Sequence, residues 1–149
     1  MIKTIFDTVT REEIIARIDA ITPQATSQWG TMNLYQMLTH CARWEEMILR
    51  KKMYKRSFIG RFIGRSVLKS ILKADLPLRR SMPTIPELVV VETTGSVPAA
   101  KAKWISLLSE YSQYSDLKYL HPFFGKMTNE EIGLLVYKHA DHHLRQFSC

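Results

Sequence analysis

Cysteine is scarce in this chain, and neither copy sits in a pattern that carries chemistry. Cys41 falls inside a helical repeat, Cys149 is the last residue, and no CxxC pair occurs. Nothing therefore points to a disulfide framework, a zinc ribbon or a redox dithiol. No apolar run approaches the ~20 residues needed to span a bilayer. The opening segment, Met1 to Glu13, has no apolar export core and no small-residue cleavage site, so a cytoplasmic location is expected. Internal repeats and low-complexity linkers are missing too. No base-reading motif is present, and nucleic acid is not expected as a partner.

What is there fits one domain over residues 1–149. Apolar residues make up 46% of the 149 and charged residues 23%, enough for a single buried core in a soluble chain. The net charge of +7 is unevenly spread. Arg50, Lys51, Lys52, Lys55, Arg56, Arg61, Arg65, Lys69, Lys73, Arg79 and Arg80 fall in one stretch interrupted only by Asp75. Such a patch suits an acidic ligand or an anionic membrane as well as nucleic acid, and charge alone does not choose.

Helix start signals recur along the chain. Thr10-Arg11-Glu12-Glu13 reads as a capping box, followed by Ile14, Ile15, Ile18 and Ile21 at helical spacing until Pro23. Asn33 opens a second helical pattern reaching about Lys52. Ser96 with Pro98 opens a third, carrying Trp104, Leu107, Leu108, Tyr111 and Tyr114 on one side. Thr128-Asn129-Glu130-Glu131 is a second capping box and starts a last helix running almost to Cys149. Between the second and third patterns lies a long insertion. Its first part, Ser57 to Lys73, is helical in period; its second, Pro77 to Pro98, is proline-punctuated, and Leu88-Val89-Val90-Val91-Glu92 is a candidate short strand. The expected fold is all-α, an up-and-down four-helix bundle with one accessory basic helix.

The histidines carry the chemistry. On a wheel of about 100° per residue, His139 and His143 share a face of the last helix with Ile132, Leu135, Val136, Gln146 and Phe147. Glu131, Leu134, Lys138, Asp141 and Arg145 fall opposite. His40 is likewise centred on the apolar stripe of the second helix, with Met37, Cys41, Trp44, Met47 and Ile48. A lone inward histidine is more often a core residue bonded to a carbonyl or carboxylate. Three of them, two at the i, i+4 spacing of helical metal ligands, favour one shared cation, since burying imidazoles costs free energy unless each nitrogen finds a partner. Three protein ligands leave positions open on the ion, the form of a catalytic or ligand-binding site.

These residues also carry a resemblance. His139-Ala-Asp-His-His143-Leu-Arg-Gln146, with a histidine on the second helix, resembles the DinB-like superfamily. Trp29-Gly30-Thr31-Met32-Asn33, Gln36-Met37-Leu38-Thr39-His40-Cys41, His121-Pro122-Phe123-Phe124-Gly125 and Tyr137-Lys138-His139 through Phe147 resemble a bacterial, uncharacterised branch of it. The resemblance implies His40, His139 and His143 as ligands of a divalent metal, zinc or nickel first and iron or manganese after them. It also implies thiol-dependent transferase or isomerase chemistry on a small molecule, with a low-molecular-weight thiol as co-substrate, and a homodimer. Hydrolysis is the other metal-based option. The alternative is a non-enzymatic module binding a small ligand or a membrane surface. Unperturbed imidazoles are mostly neutral above pH ~6.5, so metal binding should weaken in mild acid.

Four further residues belong to the candidate pocket. Gln146, one turn beyond His143, would hydrogen-bond a ligand histidine or bound water, or else cap nearby backbone. His142 lies at the edge of the stripe, as a supporting or surface residue. His121 is expected as a turn residue packed beside Phe123 and Phe124, with an acid–base role as the lesser reading. Trp44 is pocket wall or core, and Cys41 is core. For the basic helix, Arg61, Arg65, Lys69 and Lys73 line one side and Ile59, Ile63, Val67, Leu68 and Ile71 the other, with Phe58, Phe62 and Leu72 among the basic residues. A packed helix with a solvated basic face is favoured there over a membrane contact.

Overall fold

The computed structural model describes residues 3–73 and 77–149. The protein is mostly helical: α1 is Thr8–Asp19, α2 Leu34–Ile48, α3 Phe58–Lys73, α4 Val97–Glu110 and α5 Asn129–Gln146. A two-stranded antiparallel hairpin, β1 (Tyr119–His121) and β2 (Gly125–Met127), precedes α5. The stretch around His121, expected to be a plain loop, is the first strand of that hairpin.

Local chemistry sets the helix ends. Asn33 and Gln36 close a reciprocal capping box on α2, and Thr128 and Glu131 do the same on α5. Each such cap contributes roughly 1 kcal/mol. The box expected at Thr10 and Glu13 does not form. Asp7 caps α1 instead, its carboxylate accepting from Thr10 N at 2.8 Å. Thr10 and Arg11 are thereby inside the helix and buried, with Arg11 donating to the carbonyls of Ile5 and Phe6. α2 stops at Ile48 rather than near Lys52, because Arg50 takes φ +61° and the amides of Lys51 and Lys52 both turn back to Glu46 O.

α2 packs against α4 and α5, and α1 packs against the same two helices. One continuous core results, with Ile14, Ile18, Met37, Leu38, Trp104, Leu108, Ile132 and Val136 among its members. Asp141, expected on the outer side of α5, is buried in this packing. It accepts from Arg17 of α1 at 2.8 Å and from Arg145 at 2.7 Å. Arg17 also holds the carbonyl of Cys149 at 2.7 Å, so one guanidinium ties α1 to the end of α5.

The expected strand at 88–92 is absent. Pro86–Leu88 forms a single 3-10 turn, and the chain then runs extended beside α2. Its carbonyls are taken by α2 side chains in place of a partner strand. Asn33 Nδ2 donates to Thr93 O at 2.7 Å, Gln36 Nε2 to Val90 O at 3.0 Å, and His40 Nδ1 meets Leu88 O at 3.0 Å.

α3 docks on the hairpin through glycines. A Cβ on Gly60 or Gly64 would collide with the Phe123 carbonyl, so these two positions let the backbones approach as no larger residue could. Leu68 is buried on the same side, and Arg65 reaches Glu131 at 2.8 Å and Lys126 O at 2.9 Å. This docking rotates the helix away from the expected apolar seam. Val67 and Ile71 are half-buried, whereas Ile59 and Ile63 stand out in solvent at 62% and 46% exposure.

Candidate metal centre

α2 and α5 bring His40, His139 and His143 together. All three are buried, and one ring nitrogen of each lies within 4.8 Å of the others. His40 Nε2 and His139 Nε2 are 3.3 Å apart. Two nitrogens sharing a tetrahedral ion through bonds of ~2.0–2.1 Å would stand about 3.3 Å apart, so this pair is already at ligand spacing. These three buried histidines could hold a metal ion.

Two of the rings have their tautomers fixed by their neighbours. A carbonyl only accepts, so Leu88 O holds the proton on His40 Nδ1 and leaves Nε2 as a bare lone pair. The second case takes one more step. Gln146 Nε2 donates to Trp29 O at 2.8 Å, which turns Gln146 Oε1 towards His143 Nδ1 at 2.9 Å. That nitrogen must then donate, and His143 Nε2 is bare as well. Gly30, at φ +79°, makes room for this amide; a Cβ there would meet Gln146 Nε2 at 2.8 Å. His139 is held differently. The Trp44 indole stacks on its ring with centroids 4.1 Å apart and planes 15° off parallel, while its Nδ1 is buried without a partner.

Burial pushes all three imidazoles towards the neutral form. For His40 the charge of Arg43 adds to this, and the Leu88 carbonyl works against it. Burial lowers His143 to about 3, with His40 contributing, and holds His139 well below the ordinary range, with His143 and His40 contributing. The lone pairs thus stay unprotonated further into acid than the unperturbed value of 6.5 implied.

The other candidates divide. Gln146 fills both roles weighed for it, holding a ligand-type histidine and a backbone carbonyl. Trp44 is a wall of the site, in contact with His139. His142 lies outside the three-histidine group; its ring meets Trp29 edge-on at 5.6 Å. His121 is the last residue of β1 rather than a turn residue, but it packs beside Phe124 as expected, and its Nδ1 accepts from the turn amides of Phe123 at 3.1 Å and Phe124 at 3.2 Å. Burial, then Arg56, lowers it to about 3, so it is neutral with its proton on Nε2. Cys41 is core, its Sγ 3.8 Å from Met37 Sδ.

A cavity of about 1140 Å³ adjoins the centre. His40, His139 and His143 line it, with mostly apolar walls that include Trp44, Leu135, Ile85 and Phe124. Sequence reasoning missed the Leu88 carbonyl and Glu45. Glu45 is fully buried on α2, with Oε2 accepting from Tyr111 Oη at 2.6 Å and Oε1 unpartnered. Its signal was its spacing with Leu38, Cys41 and Ile48 on a second buried stripe of α2.

The chain belongs to the DUF1569 family. That family, described as a protein of unknown function, matches residues 6–149. No curated protein and no solved structure matches the chain. Membership therefore ties the three histidines to a domain that spans nearly the whole sequence, and leaves its chemistry to be argued from the site.

Proposed function

We propose that this DUF1569 protein binds one divalent metal ion through His40, His139 and His143 and acts on a small molecule in the adjoining cavity. Zinc or nickel suits three neutral imidazoles best, ahead of iron or manganese. The observation that carries the reading is the fixing of two tautomers by Leu88 O and by the Trp29–Gln146 relay. Each leaves a bare Nε2 in the shared space between α2 and α5. Supporting partners of this kind raise the basicity of metal-binding rings and hold their orientation.

The donor set bears on the substrate. Three neutral ligands leave the full dication charge uncompensated inside a protein of net charge +7. A buried excess of positive charge favours an anionic occupant, such as the thiolate of a low-molecular-weight thiol. When bound, the ion supplies Lewis-acid polarisation and makes whatever it coordinates more acidic. Thiol S-transfer is the reaction we favour, with hydrolysis second. Trp44 and Gln146 orient the rings, and the mostly apolar walls offer a surface for the substrate's non-polar part. The packing of α1, α2, α4 and α5 supports reading these helices as an up-and-down bundle of the DinB-like kind, with α3 as the accessory helix. No helix among the described residues is long and apolar enough to cross a membrane, and we place the protein in the cytoplasm.

Elemental analysis of protein purified without an affinity tag tests the site. One equivalent of metal per chain is expected, lost in each of His40→Ala, His139→Ala and His143→Ala. Metal retained in all three variants, or absent from wild type even after incubation with zinc or nickel, would refute it.

A further inference from the structure

The N-terminal half of α3 carries a surface for which the metal centre has no use. Phe58 and Phe62 are each 74% exposed, with rings edge-on at 5.3 Å, and Ile59 and Ile63 stand beside them. Met53, just upstream, is also exposed. Four large apolar side chains within one and a half turns form a cluster, unlike the scattered single residues normal on a soluble surface. The helix cannot roll to bury them. Gly60, Gly64 and Leu68 face the opposite way and are locked against the hairpin, where any Cβ on the two glycines would strike the Phe123 carbonyl.

Charge says what covers this face. At 100° per residue, Lys69 lies in the same outward stripe as Phe58 and Phe62, and Arg61 lies on its flank. Lys55, Arg61 and Lys69 are exposed; Lys55 and Arg61 have no carboxylate partner among the described residues, and Lys69 acts at a distance on Glu131, a carboxylate that Arg65 already holds. α3 contains no acidic residue. Apolar side chains standing out of a helix between exposed cations match an interface-lying helix, which inserts its apolar groups while its cations meet lipid phosphates. A second copy of the chain fits poorly, since docking the same face on itself would bring two sets of exposed cations together with no acidic residue of α3 to offset them.

We infer that the exposed face of α3, centred on Phe58 and Phe62, docks on an anionic lipid surface. Ile59 belongs both to this face and to the wall of the histidine cavity, so docking sets the cavity mouth beside the lipid. The inference does not depend on the metal.

Vesicle sedimentation tests it, using phosphatidylglycerol and phosphatidylcholine in roughly a one-to-three ratio against phosphatidylcholine alone. Wild type is expected to sediment with the anionic vesicles only, less so as salt rises. Phe58→Ser/Phe62→Ser is expected to weaken this by about tenfold or more, because two phenylalanines no longer leave water. Arg61→Ser/Lys69→Ser should weaken it by roughly tenfold through lost phosphate contacts. All four side chains are exposed, so circular dichroism melts should match wild type. No sedimentation of wild type at physiological salt overturns the inference, as does wild-type binding by the phenylalanine variant. A dimer in light scattering that the phenylalanine variant dissolves would assign the face to a second copy instead.

Discussion

Glu45→Gln isolates a carboxyl that burial holds protonated. Glu45 is fully buried between α2 and α4, with one oxygen bonded to Tyr111 and the other unpartnered. Burial pushes its carboxyl from 4.5 to about 8, against the Tyr111 hydrogen bond and the polar N–H of the nearby Trp104 indole, which favour the charged form. At neutral pH the folded protein therefore holds a proton that the unfolded chain has released. Stability then falls with rising pH, by about 1.4 kcal/mol per unit while the difference is one proton. The window runs from 4.5 to about 8, and no further loss from this group follows above it. The buried histidines act in the opposite sense and their unfolded forms still carry protons somewhat above 6.5, so Glu45 is read from the difference between wild type and variant over the unit and a half between 6.5 and about 8. Wild type should lose roughly 1.5–2 kcal/mol relative to Glu45→Gln across it, because the variant keeps the shape without the proton and leaves the histidine contribution unchanged. Urea unfolding at fixed ionic strength with a chelator present measures both. Equal slopes for the two proteins would show that Glu45 ionises freely in the folded state and would refute the reasoning.

Three further outcomes follow from particular contacts. His40, His121, His139 and His143 are all held below their unfolded value of 6.5, so the unfolded chain binds more protons in acid. The contribution of these histidines to the stability of the metal-free protein is present above pH 6.5 and is lost as pH falls below it, outweighing the opposite effect of Glu45 with a net slope of more than one proton, readable in the same urea titrations. Gln146→Leu removes the acceptor that fixes His143, and should weaken zinc affinity by about 10–100-fold in competition with a chromophoric chelator while the fold survives. Gly64→Ala forces a methyl group into the Phe123 carbonyl and should cost about 1–3 kcal/mol, with faster amide exchange in residues 119–127.

The centre was legible in the sequence because helical periodicity is a strong signal for long amphipathic segments. His40, His139 and His143 each recur with Met37, Trp44, Leu135 or Val136 at spacings that leave one possible face, and that face is buried. Gln146 was legible for the same reason. The Leu88 carbonyl was not, because a backbone acceptor has no residue signature. A β-branched run beside it imitated a strand, while its real partners were side chains of α2 sixty or fewer positions away. At the start of α1, Asp7 and Thr10 are both competent caps, and the one used leaves Arg11 inside the helix with its guanidinium on the carbonyls of Ile5 and Phe6, a pairing that helical spacing does not signal. For α3 the rule that isoleucines turn inward failed, since two glycines allow a closer approach than any isoleucine could.

X-ray absorption spectroscopy of the zinc-loaded protein measures the central arrangement most directly. Three imidazole nitrogens at about 2.0–2.1 Å, with one fewer in His143→Ala, is the predicted result. Sulfur scattering at about 2.3 Å, or a spectrum unchanged by loss of His143, would place the ion elsewhere and contradict a site shared by α2 and α5.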